Sequence, residues 1–255
     1  MDPASAALLV GAGLAAGLAG SMAGLASLFS YPALLAVGLP PITANVTNTV
    51  ALFSTTVGAA VGSRRELKAQ GRRLLRLLPL AGVGGAGGAA LLLNTPAQTF
   101  ELIVPWLIAL GSVLLLANGP IRRAADRRAV YRGPPSALPL AVAVFLVGIY
   151  GGYFGAGAGV LMLAVLSVSA TEPLAVTNAV KNMATGAANL TAAVAYCFLV
   201  PMHWAAVGFL AAGSVVGSWL GPTIVRRLPE RPLRVTIALA GLGLAVHLLI
   251  GALRG

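Results

Sequence analysis

Of the 17 Lys and Arg residues in this chain, 15 crowd into three short stretches. The first is 63–76, with Arg64, Arg65, Lys68, Arg72, Arg73 and Arg76. The second is 119–136, with Arg122, Arg123, Arg127, Arg128 and Arg132. The third is 226–234, with Arg226, Arg227, Arg231 and Arg234. Between them lie apolar runs of about 17–25 residues, the length that crosses a bilayer core. Charged residues make up 9% of the chain and hydrophobic ones 58%, against about 25% charged in a soluble domain. The solvent for such a chain is lipid. Basic clusters that bound apolar spans mark the cytoplasmic side. This clustering gives the net charge of +11 a membrane meaning and sets nucleic acid aside as a partner. The first ten residues carry no Lys or Arg, so they read as structure and not as a cleaved leader.

If all three clusters share one side, an even number of crossings separates each pair. Two spans, 77–93 and 101–118, lie between the first two, joined by the uncharged turn NTPAQT. Between 136 and 226 hydropathy gives three segments: 137–168, 174–199 and 204–225. The first of these is 32 residues long and is interrupted by YGGYFGAGAG. Two short helices folding back on each other there would return the chain to its starting side. The matching segment, 5–39, is also too long for one span and contains Pro32, Gly38, Pro40 and Pro41.

An internal repeat supports this division. VTNTV at Val46–Val50 returns as VTNAV at Val176–Val180, 130 residues later. A Gly-rich stretch precedes each copy, Gly17–Gly24 and Gly148–Gly155. The predicted fold is an all-α integral membrane protein of two inverted repeats. Each repeat is a short Gly-broken helical hairpin plus three longer helices, about eight to ten helical segments in total. Residues 1–118 form the first repeat, 119–136 a basic cytoplasmic linker and 137–255 the second repeat, within one membrane domain. An odd number of crossings per half inverts the halves, and the loops agree. Basic 63–76 matches PMHW at 201–204, and uncharged NTPAQT matches basic 226–234. Both termini then lie outside; Arg254 is a mild dissent.

Ionisable groups within spans are expensive and therefore functional candidates. Lys181 follows the second pentad, one turn into a helix predicted to start near Leu174. Asn178 and Asn182, four apart, share a face. Thr177, Lys181 and Thr185 form an adjacent row. The first copy offers Thr47, Asn48, Thr49, Ser54, Thr55 and Thr56. These residues suit an anion. Helix N-termini leave N–H groups free and carry positive dipole ends. Asn and Thr add uncharged donors, and Lys181 adds one cation. Tyr150 and Tyr153, on the Gly-rich break, serve as donors or walls. The plain alternative is that Asn and Thr only join helices.

The remaining motifs read as structure. GVGGAG at Gly82–Gly87 fits a nucleotide fingerprint only in spelling, because no strand precedes it. Gly84 and Gly88, like Gly213 and Gly217, sit at helix-packing spacing. The run Gly151–Gly159 differs, because it weakens a helix and reads as a hairpin tip beside a path. His203, His247 and Cys197 stand apart from any metal or catalytic cluster, and Cys197 reads as an apolar filler. Neither a cofactor nor a metal is expected, and the chain reads as no enzyme. The six acids, Asp2, Glu66, Glu101, Asp126, Glu172 and Glu230, lie in loops or at span ends. A dianion leaving an inside-negative cell gains about 4.6 kcal/mol per 100 mV. Export would then need no intramembrane proton site.

The Gly-rich break, the VTN repeat and the stretch NAVKNMATGAAN together resemble the TauE/SafE family of sulfite and organosulfonate exporters. The resemblance runs over about residues 6–250. It departs at GSMAGLASLF, where the family often shows a glycine cluster, and at Thr47-Asn48-Thr49. It implies a bacterial inner-membrane permease that exports a small sulfur-containing anion by alternating access. It also implies Asn178, Lys181 and Asn182 as substrate-binding residues, with Thr47 and Asn48 as counterparts. The expected partners are that anion and the bilayer; a homodimer stays open. The rival readings are a permease for another small anion or zwitterion and a non-transporting scaffold.

Overall fold

The computed structural model describes residues 1–131, 137–168, 172–224 and 230–254. Among the described residues every regular element is a helix. The order is α1 (Pro3–Ala23), α2 (Ser27–Ala36), α3 (Pro41–Gly62), the single turn α4 (Arg64–Leu67), α5 (Gly71–Leu93) and α6 (Ala97–Tyr131). There follow α7 (Ala137–Tyr153), α8 (Ala158–Val168), α9 (Leu174–Leu199), α10 (Trp204–Ile224) and α11 (Glu230–Arg254). Asp2 opens α1 as its cap, accepting from the Ser5 N–H at 3.4 Å, and the Ser5 side chain together with this N–H holds its carboxyl below the usual range. Among the described residues four stretches are long and apolar enough to cross a membrane: α1, α5, 97–117 of α6 and 204–221 of α10. Large apolar side chains such as Leu75, Leu138 and Phe198 face outward on the helix surfaces, as a lipid solvent allows.

Helices α3 and α9 have the length for a crossing, 22 and 26 residues. Their pentads and following Asn and Thr residues make them more polar. They occupy the middle: α3 packs on α2, α9 and α10, and α9 on α3, α5, α7 and α8. Polar residues are tolerated there because protein, not lipid, surrounds them.

The first Gly-broken segment differs from the predicted hairpin of two short helices: it pairs α1, with 21 residues and long enough to cross, with α2 of 10. The second pairs two short helices, α7 with 17 residues and α8 with 11. A ten-residue helix is about 15 Å long, half of the roughly 30 Å core. The first break is asymmetric because its first member is apolar and uninterrupted until its last turn. The basic stretch 119–136 is also not a plain loop, since α6 runs on through Tyr131. Residues 132–136, and Arg226 and Arg227, lie outside the described residues.

Contacts between the halves come in matched pairs. Helix α1 packs on α10 as α7 packs on α5; α3 packs on α10 as α9 packs on α5; α8 packs on α6 as α2 packs on α11. Small residues make the closest of these seams. A Cβ added at Gly13 would strike Leu210 O, and one at Gly17 would strike Ser214 O. Gly213 and Gly217 face Val10 O and Leu14 O in return. Partner numbers rise together, so α1 and α10 run in the same direction. The α5–α7 seam repeats this, with Gly84 on Phe145 O and Gly88 on Ile149 O. Ser54 donates to Ala211 O at 3.3 Å, and Gly58 abuts Ser218, so α3 and α10 also run in parallel. At one end of the bundle Gln70 donates to Glu172 at 3.0 Å and Arg73 pairs with it at 2.5 Å. The starts of α5 and α9 therefore share that end.

Candidate functional site

The two breaks meet at a cavity of about 60 Å³. About 10–15 Å³ of such space holds one water, so this one has room for roughly four or more small atoms. Its polar lining comes from Ser21, Ser27, Asn48, Thr49, Thr55, Thr56, Asn182, Thr185 and Asn189. Every one of these side chains is uncharged.

Four helix ends set its electrostatics. The C-terminal ends of α1 and α7 carry unpaired carbonyls and a negative dipole end. Both are neutralised by donors from elsewhere. Lys181 Nζ donates to Gly20 O at 3.1 Å, and the side-chain amides of Asn178 and Asn182 each donate to Ser21 O at 2.9 Å. At the other break, Asn45 Nδ2 donates to Tyr153 O at 2.8 Å and Tyr196 OH to Gly152 O at 2.6 Å. Tyr150 OH bridges the break itself, donating to Ala156 O at 2.5 Å. The opposite ends, the N-termini of α2 and α8, reach the cavity through Ala26, Ser27, Ala158 and Gly159. Their positive dipole ends face the space that a ligand would fill.

This arrangement depends on glycine at two turns. Gly24 has φ 74°, and Gly155 and Gly157 have φ 79° and 76°, left-handed values that a Cβ disfavours. Gly24 also lies against the backbone of Gly159, so the two breaks touch main chain to main chain.

The sequence-predicted residues divide into groups. Asn48 and Asn182 line the cavity. Lys181, fully buried, stands behind the Gly20 peptide, and Asn178 beside it secures the end of α1. Thr47 and Thr177 are buried at equivalent places in the two pentads, each with an unpartnered hydroxyl. Tyr150 holds the break together and does not line the cavity. The sequence reading put the first turns of the pentad helices at the site. In the structure the cavity meets those helices two turns or more inside, at Asn48 and Asn182, and the N-termini that reach it belong to α2 and α8. Ser27, Thr185 and Asn189 were not singled out as binding residues. Helical spacing from Asn182 was the available signal for the latter two. His203 caps α10 by accepting from the Ala206 N–H at 3.3 Å, and Cys197 lies exposed on α9, not packed as a filler.

The family model described as Sulfite exporter TauE/SafE matches residues 9–248. The chain belongs to the TauE/SafE family. Its curated relatives bear transporter names. "Probable membrane transporter protein YfcA" of Escherichia coli K12 is 26% identical over 236 residues, covering 92% of this chain and 86% of the relative. "Probable membrane transporter protein ORF9" of Sinorhizobium sp. is 27% identical over 251 residues, covering 95% and 92%. A "Probable membrane transporter protein" of Haemophilus influenzae is 29% identical over 224 residues, covering 86% and 84%. No solved structure matches significantly. This TauE/SafE chain is thus a multi-pass membrane protein of a transporter family.

One cap can be weighed directly. Asn45 is 0% exposed, and its bond to Tyr153 O spans the two halves. Removing a buried partner costs about 1–3 kcal/mol. Asn45→Ala is expected to lower the melting temperature in detergent by several degrees; an unchanged melting curve would show that the α7 end needs no cap.

Proposed function

We propose that this protein exports a small sulfur-containing oxyanion, sulfite or an organosulfonate, through the central cavity by alternating access. The observation that carries this reading is the polarity of the four helix ends. Both negative ends are occupied by protein donors, whereas both positive ends face an uncharged, polar space. That is the arrangement a small anion needs. In this reading Asn48 and Asn182 donate to the substrate oxygens with the second amide N–H, the first being held by Ser27 Oγ and Ser21 O respectively, and Lys181 attracts its charge across the Gly20 peptide. Asn178 and Tyr150 hold the two broken ends in place, and Thr47 and Thr177 supply buried, unpartnered hydroxyls in the two pentads. The cavity size suits a sulfite ion or the head of a sulfonate, which share the same oxygen-rich face.

Inverted halves belong to the same proposal. Helices α1 and α3 run parallel to α10, while α7 shares its direction with α5, whose start lies beside that of α9. Basic loops 63–76, 119–136 and 226–234 would then face the cytoplasm of a bacterial inner membrane. Export runs down the membrane potential, because a departing dianion gains about 4.6 kcal/mol per 100 mV.

Flux of labelled sulfite in everted vesicles tests the transport reading. Export appears there as accumulation in the lumen, driven by an inside-positive potential. Accumulation that follows a proton gradient at fixed potential would contradict the coupling. Absence of sulfite and sulfonate flux in vesicles that contain folded protein would contradict the substrate class.

A further inference from the structure

A second cavity of about 350 Å³ lies between α2, α6 and α11, lined by Tyr31, Gln98, Glu101 and His247 among others. An aromatic contact links its wall to that of the central one. Phe154 lines the central cavity and Tyr31 lines the second. Their rings meet edge to face, centroids 5.1 Å apart and planes at 78°. Phe100, at the start of α6, closes the layer, 6.3 Å from Phe154 and 5.9 Å from Tyr153. All four rings are buried, Phe100 at 0% exposure and Phe154 at 2%.

We infer that this second cavity is the outer vestibule of the permeation path, and that Tyr31, Phe100 and Phe154 are the gate between it and the central site. Three observations support this. First, a ring that lines the central cavity, Phe154, touches a ring that lines the second, Tyr31, and Phe100 packs on Phe154. Second, the gate has a hinge: Phe154 directly precedes Gly155 and Gly157, both at left-handed φ, and Tyr31 directly precedes Pro32 within the short α2. A small turn at either break swings a ring out of the wall. An edge-to-face pair contributes only about 0.5–1.5 kcal/mol beyond its area, so opening is within reach of binding energy. Third, the charges differ across the rings. Among the described residues no carboxylate lines the central cavity, whereas Glu101 lines the second. An anion that passes the gate meets a like charge and leaves. His247 lines the same space.

The inference rests on the central cavity being the transport site, but its test does not measure transport. In a Cys197→Ser background, one cysteine is placed in the vestibule (Gln98→Cys) or in the central cavity (Ser27→Cys). Intact cells are exposed to a charged, membrane-impermeant thiosulfonate, and everted vesicles are exposed in parallel to define the side from which Gln98→Cys reacts. From that side Ser27→Cys should react about tenfold more slowly or worse, as for a gate open in about a tenth of molecules or fewer. Adding Phe154→Ala should raise its rate toward that of Gln98→Cys. With the rings intact, equal rates for the two cysteines would overturn the gate without any gate substitution. A Ser27→Cys rate unmoved by Phe154→Ala, in protein that elutes as a single folded species, would overturn it too. If the gate holds but no anion binds or moves, the substrate proposal alone fails.

Discussion

Lys181→Met leaves a folded membrane protein with little affinity for its anion. The side chain is fully buried and sits one peptide behind the cavity wall, donating to Gly20 O. At about 6 Å and an effective dielectric near 20, one unit charge acts on another with about 3 kcal/mol, close to a hundredfold in affinity. Methionine keeps the length and most of the volume. Exchanging a buried ion for an apolar side chain of similar size is often neutral or stabilising. Loss of the bond to Gly20 O works the other way by about 1 kcal/mol. The melting temperature in detergent should therefore stay within a few degrees of the parent, while the anion-induced shift disappears. A well-folded variant with unchanged affinity would remove Lys181 from the site.

Gly24→Ala has the largest expected effect on folding. Two costs fall on one residue. Its φ of 74° disfavours a Cβ by about 1–2 kcal/mol. The added carbon would also overlap the Gly159 backbone, which belongs to the other break. Overpacking of this kind costs about 1–3 kcal/mol, and main chain cannot rotate away as a side chain can. The combined cost is a large part of the roughly 5–15 kcal/mol that holds a protein together. Two other glycines separate the contributions. Gly38 has φ 87° but open space around it, so Gly38→Ala should show the strain alone. Gly11 lies within α1 with nothing near its Cβ position, so Gly11→Ala should be neutral or slightly stabilising. The yield of monodisperse protein and its melting temperature should fall in the order Gly11, Gly38, Gly24. A Gly24 variant as stable as the Gly38 variant would mean that the two breaks do not meet.

Much of the fold was legible because a bilayer leaves few options. The confinement of Lys and Arg to three stretches and the spans between them define a helical membrane protein. Glycine spacing at Gly84 and Gly88 and at Gly213 and Gly217 marked seams that the structure closes main chain to main chain. Unequal helix lengths at the first break were not legible. Glycines of one stretch, Gly17 and Gly20, remain helical because α10 and the turn after α1 cover them, whereas Gly24 alone turns. Composition does not distinguish a packing glycine from a turning one. The site was half legible for a similar reason. Asn48 and Asn182 were visible as polar residues within spans. That the amides of Asn178 and Asn182 and the Lys181 amine all cap α1 depends on where α1 ends. The aromatic layer had no sequence signal, since Tyr31 and Phe100 come from two separate helices and Phe154 from the turn after α7.

Thermal stabilisation by an anion panel tests the central claim most directly. Purified protein is melted with sulfite, sulfoacetate, sulfate, taurine, chloride and acetate. A ligand at a hundredfold excess over its Kd adds about 2.7 kcal/mol to native-state stability. The account predicts a shift for sulfite or sulfoacetate that is lost in Lys181→Met and reduced in Asn182→Ala. A sulfite shift of equal size in both variants, or a folded parent protein that no oxyanion stabilises, would contradict it.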